Sequence, residues 1–235
     1  MGVESSSVRV VVINTGTELL LGEVLNTHLR FIAREIFQLG LRVEEQRTVP
    51  DSPTLQETLA EIFPRAEIVF VTGGLGPTSD DITRELVSEF LNLQLLENSS
   101  VRETISRRLA LRRIPATKRI WRQALVPCGG EVLPNENGTA PGIYMSANIN
   151  PKIRSPHLFL LPGPPRELEP MFRDFVLPIV RQITAASKRL LMRNFRIANM
   201  TTISSAFLLE ASSAQSLARA SDFISLPPDK DRARK

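Results

Sequence analysis

The sequence predicts an α/β protein whose parallel sheet carries helices on both faces. Short apolar runs of strand length alternate with longer segments of helical periodicity over residues 8–90. The runs at Val8–Ile13 and Ile68–Val71 lack a polar alternate face, as strands buried on both sides of a parallel sheet require. Gly, Pro, Ser, Thr and Asp collect where these runs end, so each strand has a turn to leave by. This order of elements is the βαβ pattern with right-handed crossovers.

Val8 to Ile13 reads as the first buried strand, followed by the turn NTGTELLLG. A helix follows from about Asn26 to Leu39, with Leu29, Ile32, Ala33, Ile36 and Leu39 as its apolar stripe and Gly40 as its stop. Leu41 to Val49 forms strand two. Ser52 and Pro53 read as a cap and a first-turn proline, opening a helix through Leu55, Leu59 and Ile62 that ends before Pro64. Ile68 to Val71 is strand three. It runs into Gly73, Gly74 and Gly76, then Thr78, Ser79, Asp80 and Asp81, where one carboxylate is expected to cap a helix from Ile82 through Phe90.

Residues 101–122 carry Arg102, Arg107, Arg108, Arg112, Arg113, Lys118, Arg119 and Arg122 against Glu103 alone, a local balance of +7 in a chain of net charge +4. Val101, Ile105 and Leu109 recur every four residues, so a helix with one packed stripe and an arginine-rich outer face accounts for most of the segment. One or two of these arginines are expected to reach an anionic partner. Further short strands fall at Ala124–Val126, Val132–Leu133 and Ile143–Met145. Leu158 to Leu161 is a last buried strand, leading through PGPPRE into a helix over Arg166–Phe175 that Pro170 and Pro178 kink or extend. A late strand at Arg196–Ala198, a short helix over Ala206–Ala220 and a weakly structured tail complete the reading.

The chain has 235 residues, 42% hydrophobic and 23% charged, an ordinary soluble composition with room for one large or two small domains. No apolar run reaches bilayer length and MGVESSS lacks the regions of a signal peptide, so a cytoplasmic protein without membrane contact is expected. Cys128 is the single cysteine, which excludes an internal disulfide, and Pro127 and Gly129 mark it as a turn residue.

Four segments follow predicted strands and share a chemistry: Thr15–Glu18, Gly73–Asp81, Gly138–Gly142 and Pro162–Glu167. On one sheet edge, their glycines, hydroxyls and carboxylates suit the phosphates of a nucleotide or pterin. Glycine lets backbone N–H groups approach an anion, and a carboxylate beside phosphates is the usual way to hold a hard divalent cation.

In order, INTGTELLLGEVLNTH, FVTGGLGPTSDDITRE, RQALVPCGGEVLPNENGTAPG and FLLPGPPRELEPMF resemble the N-terminal domain of the CinA (competence/damage-inducible protein) family over about residues 8–200. The resemblance implies a three-layer α/β/α, MogA-like molybdopterin-binding fold and a divalent-metal-dependent hydrolysis of ADP-ribose. A related domain of FAD synthase hydrolyses FAD. Carried over, Asp81 and Asp80 would be catalytic, and Asp81 with Glu18 would hold the metal, Mg²⁺ or a transition-metal substitute, with K⁺ as a second candidate ion. Substrate would meet Thr15, Gly16, Gly73, Gly74, Gly76, Thr78, Ser79, Gly138, Thr139, Gly142, Gly163, Pro164 and Glu167. A buried Glu18 bonded to backbone amides is the alternative for that residue.

His28 stands where the family often has Asn and reads as a surface or helix-start residue; His157 reads as a loop residue. Trp121 stacks on adenine or, more simply, packs. The expected domains are 1–192, the nucleotide pyrophosphatase domain, and 193–235, a divergent tail, with the family's amidase domain and activity absent. A small-molecule nucleotide is the expected partner, without nucleic acid, in a homo-oligomer. A molybdopterin adenylyltransferase and a non-catalytic nucleotide-binding module are the competing functions.

Overall fold

The computed structural model describes residues 8–185. Its strands are β1 (Val10–Thr15), β2 (Val43–Val49), β3 (Ile68–Thr72), β4 (Leu95–Glu97), β5 (Leu125–Pro127), β6 (Glu131–Leu133), β7 (Gly142–Met145) and β8 (His157–Leu161). The main sheet has the order β2-β1-β3-β8-β7-β6. The pairs β1–β2, β1–β3 and β3–β8 are parallel, whereas β7 runs antiparallel to both β8 and β6. A separate antiparallel pair joins β4 to β5.

Successive strand residues point to opposite faces, and β1 shows the consequence. Val11 and Ile13 enter a core with Leu55, Leu59, Val69, Val71 and Val87, while Val10 and Val12 enter another with Ile32, Ile36, Phe70, Phe159 and Phe172. Helices α1 (Thr17–Leu20), α2 (His28–Phe37), α3 (Thr54–Ile62), α4 (Thr83–Phe90), α5 (Ser99–Arg112), α6 (Lys118–Trp121), α7 (Pro165–Met171) and α8 (Leu177–Ile183) surround the sheet. The first core takes its helical side chains from α3 and α4, the second from α2 and the α7–α8 region. This gives the three layers. Phe70 is fully buried, with ring centroids 5.2 Å from Phe159 and 5.3 Å from Phe172. Truncating such a side chain costs about 3–5 kcal/mol.

Several boundaries differ from the sequence reading. The first helix stripe starts at His28 and ends at Phe37; Gly40 then takes φ 77° and its N–H bonds the Phe37 carbonyl, closing the helix as anticipated. The second begins at Thr54, after Pro53. Neither Asp80 nor Asp81 caps α4: the cap residue is Ile82, whose aliphatic side chain offers no acceptor, and the Asp81 carboxylate turns back to Thr78 instead. Strand β4 was not anticipated. A π-helical turn at Phe172–Val176 joins α7 to α8, so the helical path continues past Pro170 and Pro178. His157 opens β8, its Nδ1 2.9 Å from the Tyr144 hydroxyl, and is not a loop residue. The expected strand at 196–198, the helix at 206–220 and the tail from 193 lie outside the described residues.

From β1 the chain crosses outward to β2 and then back to β3 on the other side of β1. Consecutive connections therefore leave the carboxyl edge in opposite directions between β1 and β3, where open α/β sheets form ligand crevices.

Candidate functional site

The glycine turn lies at this switch point. Gly73 and Gly74 hold φ 100° and 66°, which a side chain resists. A Cβ on Gly73 would come 2.4 Å from the Thr15 carbonyl oxygen, and one on Gly74 2.0 Å from Thr83 Oγ1. The turn is pressed against the end of β1 and the start of α4. The Gly73 N–H is used internally, donating to the Leu161 carbonyl at 3.0 Å. Among the described residues, the next three N–H groups, of Gly74, Leu75 and Gly76, make no hydrogen bond. Three consecutive free amides are an anion-binding arrangement.

Carboxylates gather beside the turn. Asp51 follows β2 and accepts a hydrogen bond from the Thr17 N–H at 3.2 Å. Burial holds its pKa above the usual carboxylate value, and the charges of Glu18 and Asp80 push the same way against donors from Thr17 and Thr15. Glu18 is exposed on α1, which overturns the alternative of a buried, amide-bonded Glu. Gly16 is needed here, since a Cβ would lie 2.6 Å from the Glu18 carboxylate. Asp80 is exposed and held low, first by its own backbone N–H and then by the Thr78 hydroxyl. Ser79 is exposed next to it.

Asp81 has a different place from the one expected. Its Oδ2 accepts both the Thr78 N–H, at 2.8 Å, and the Thr78 hydroxyl, while its carbonyl accepts from Arg122 at 3.4 Å. A Cβ on Gly76 would meet that carboxylate at 2.6 Å. Asp81 therefore ties the loop together. Arg84 braces it from behind: wholly buried, it donates to the Leu75 carbonyl at 3.0 Å and the Arg122 carbonyl at 2.9 Å.

Across the sheet, loop 134–141 joins β6 to β7 at the same edge. Buried Asn135 organises it, accepting from the Asn137 and Gly138 N–H groups and donating to the Ala140 carbonyl and to Glu167 Oε2 at 2.8 Å. Glu167 is thus a loop anchor, and a Cβ on Gly138 would come 1.9 Å from it. Gly142 is buried inside β7 facing Met171 Sδ, so packing alone demands a glycine there. Thr139 lines a groove with Arg107 and Arg108. Gly163 sits 3.6 Å from the Gly73 Cα, measured from an added Cβ, and Pro164 precedes α7. The structure therefore brings Thr15, Gly16, Glu18, Gly73, Gly74, Gly76 and Asp80 together at the switch point, and sets Gly138, Thr139 and Glu167 apart on the β6–β7 side.

His28 is not a surface residue. It is buried, with Nδ1 3.1 Å from Thr72 Oγ1, and Asn14 donates to that same hydroxyl at 2.7 Å. Burial lowers the His28 pKa, against a hydrogen bond to the Gly163 backbone. Trp121 packs beside the α5 stripe under the Arg102 guanidinium, 4.3 Å from the ring centroid.

Among the described residues no three Asp, Glu, His or Cys side chains form a ready metal cage. The donors still fit a hard divalent cation, which commonly takes one or two protein carboxylates and completes its shell with phosphate oxygens and water. The charges of Glu18 and Asp80 both act against the Asp51 carboxylate, and a cation would relieve that repulsion. Asp81, committed to Thr78, is the poorer ligand.

Residues 11–182 match the family model described as a probable molybdopterin binding domain. The chain belongs to that family. Within it the relatives are CinA-like: a CinA-like protein of Akkermansia muciniphila is 42% identical over 75% of this chain, and a putative competence-damage inducible protein of Moorella thermoacetica 38% identical over 79%. The chain spans only 42% and 44% of the length of these two relatives. A crystal structure of a CinA protein of unknown function from Thermoplasma acidophilum superposes with TM-score 0.65 at 24% identity, covering 74% of this chain and 98% of that one. The resemblance read from the motifs and the mostly parallel α/β fold are both borne out. Among the described residues, no helix is long and apolar enough to cross a membrane.

Proposed function

We propose that this molybdopterin-binding-type domain hydrolyses an adenosine-linked pyrophosphate, ADP-ribose first among them, in a divalent-metal-dependent reaction at the β1/β3 switch point. The observation that carries the reading is the meeting of three unbonded amides, Gly74 to Gly76, with Asp51, on which the charges of Glu18 and Asp80 both act. Amides of this kind hold phosphate oxygens, and such carboxylates call for a cation.

In this reading the amides bind one phosphate and hold its developing charge, as preformed donors do in a site shielded from water. Glu18 and Asp80 would hold the metal, and a bound divalent ion would supply neutralisation of phosphoryl charge and activation of water. Asp51 takes the proton of the attacking water, a task its raised affinity for protons suits, whereas the Asp81 carboxylate is already engaged by Thr78. A bond forms from the water oxygen to phosphorus, the bridging P–O bond breaks, and the leaving phosphate departs with the electron pair. ADP-ribose would yield AMP and ribose 5-phosphate. The family's description favours a second reading, binding of a pterin phosphate at the same edge.

The test is incubation with ADP-ribose and Mg²⁺ or Mn²⁺, with and without K⁺, against a chelated control. Metal-dependent AMP release is expected. Tight pterin binding with no AMP under any metal would replace this reading with the second.

A further inference from the structure

His28 is a buried titratable group that the hydrolysis above leaves unused. It opens α2 and lies against the ends of β3 and β8, parallel neighbours that each run into a turn at the carboxyl edge. The surrounding hydrogen bonds fix where its proton sits. Asn14 Nδ2 donates to Thr72 Oγ1 at 2.7 Å, and the side-chain amides of Asn26 and Gln46 hold the Asn14 side-chain oxygen, each at 2.9 Å. Thr72 therefore receives one hydrogen and keeps its own to give, and His28 Nδ1, 3.1 Å away, is the acceptor. The remaining ring nitrogen faces the Gly163 backbone through a hydrogen bond that favours the charged ring, so the ring donates and the Gly163 carbonyl accepts. The neutral tautomer that satisfies both neighbours carries its proton on Nε2.

Both neighbours adjoin the glycine turn. Thr72 immediately precedes Gly73, and a Cβ on Gly163 would lie 3.6 Å from the Gly73 Cα. We propose that His28 is a positioning residue, pinning the end of β3 to the turn after β8 and so setting the place of the Gly74–Gly76 amides. A proton on Nδ1 undoes the β3 half of the pin: Thr72 then faces a second donor, and its own hydrogen has no acceptor among the described residues. Burial keeps the ring neutral, with a pKa below the usual 6.5. Among the described residues Glu169 on α7 is the one charged group that acts on it; it opposes this without prevailing, and is itself 3.7 Å from Arg173. The pin is complete at neutral pH and is lost as pH falls through the His28 pKa. The proposal rests on the function given above only in taking these amides as ligand groups; whether the site hydrolyses anything does not enter.

The experiment is heteronuclear NMR of the metal-free chain, titrated from neutral pH into acid, which needs neither ligand nor turnover. The ring nitrogens should report the Nε2–H tautomer at neutral pH, and the amide signals of Gly74, Leu75 and Gly76 should shift with the midpoint of the ring. His28→Asn, folded by circular dichroism, should lose that step. His157→Asn, which removes the chain's other histidine at the far end of β8, should keep it. A ring protonated on Nδ1 at neutral pH would overturn the proposal, as would turn amides that stay still while the ring titrates or a step that persists in His28→Asn. Tautomer and midpoint are read on the wild-type chain, so they decide the matter even if the variant does not fold.

Discussion

Charged side chains on β2 and charged side chains at the carboxyl edge of the sheet follow opposite rules. On β2 and its neighbours the charges cancel: Glu45 pairs with Arg47 at 2.8 Å and with Arg65 at 3.0 Å, and Arg47 also pairs with Glu61. Those contacts hold the Glu45 pKa down at about 2, through Arg65 before any other cause. At the edge, like charges meet without cancelling, as the acids around Asp51 show. A self-neutralised cluster is explained by the fold that contains it. An unneutralised one invites a counter-charge from outside, here a cation.

The contrast breaks most sharply at Asp51. Asp51→Asn should lower turnover of ADP-ribose by about 10²–10⁴-fold, the usual worth of a positioned acid–base group. Its stability should hold or rise, because a half-buried carboxylate facing the charges of Glu18 and Asp80 is lost. Steady-state rates beside a urea melt decide it; a variant that turns over normally returns Asp51 to the class of β2.

Gly74→Ala comes next. It forces a side chain into φ 66° and against Thr83 Oγ1, so a loss of roughly 1–3 kcal/mol is expected in a urea melt. Unchanged stability would mean that the turn is not held in this conformation.

The smallest effect belongs to the cancelled charges. Glu45→Gln should cost no more than about 1 kcal/mol at neutral pH, as partly exposed pairs do. The sign of its pH dependence follows from a folded pKa below the unfolded one. The stabilisation is present above pH 4.5 and is lost as pH falls toward about 2. Urea melts of wild type and variant should converge over that window; parallel curves would show that the pairs do not form in solution.

Much of this edge was legible in the sequence, for identifiable reasons. Gly73 and Gly74 announce positive φ because strand, glycine pair and helix follow one another locally. The β1-to-β3 alternation is likewise local, and so was read. What required distant partners was missed. Asp51 sits in VPDSP, which reads as a turn, and only the β1–β2 pairing carries it to Thr17 and the acids. His28 looks like a surface residue until β3 places Thr72 against its ring. Asp81 resembled a helix cap because a carboxylate precedes α4, yet Thr78, three residues back, captures it. The strands β6 and β7 were visible, but their antiparallel place beside β8 depends on pairings such as Tyr144 with Phe159.

Binding of Mn²⁺ by the chain in the presence of ADP-ribose, followed by electron paramagnetic resonance, tests most directly whether the edge is built around missing counter-charges. Wild-type chain should bind the ion, the paired variant Glu18→Gln/Asp80→Asn should bind it at least about tenfold more weakly, and Glu45→Gln should match wild type. Equal Mn²⁺ affinity in all three would contradict the account.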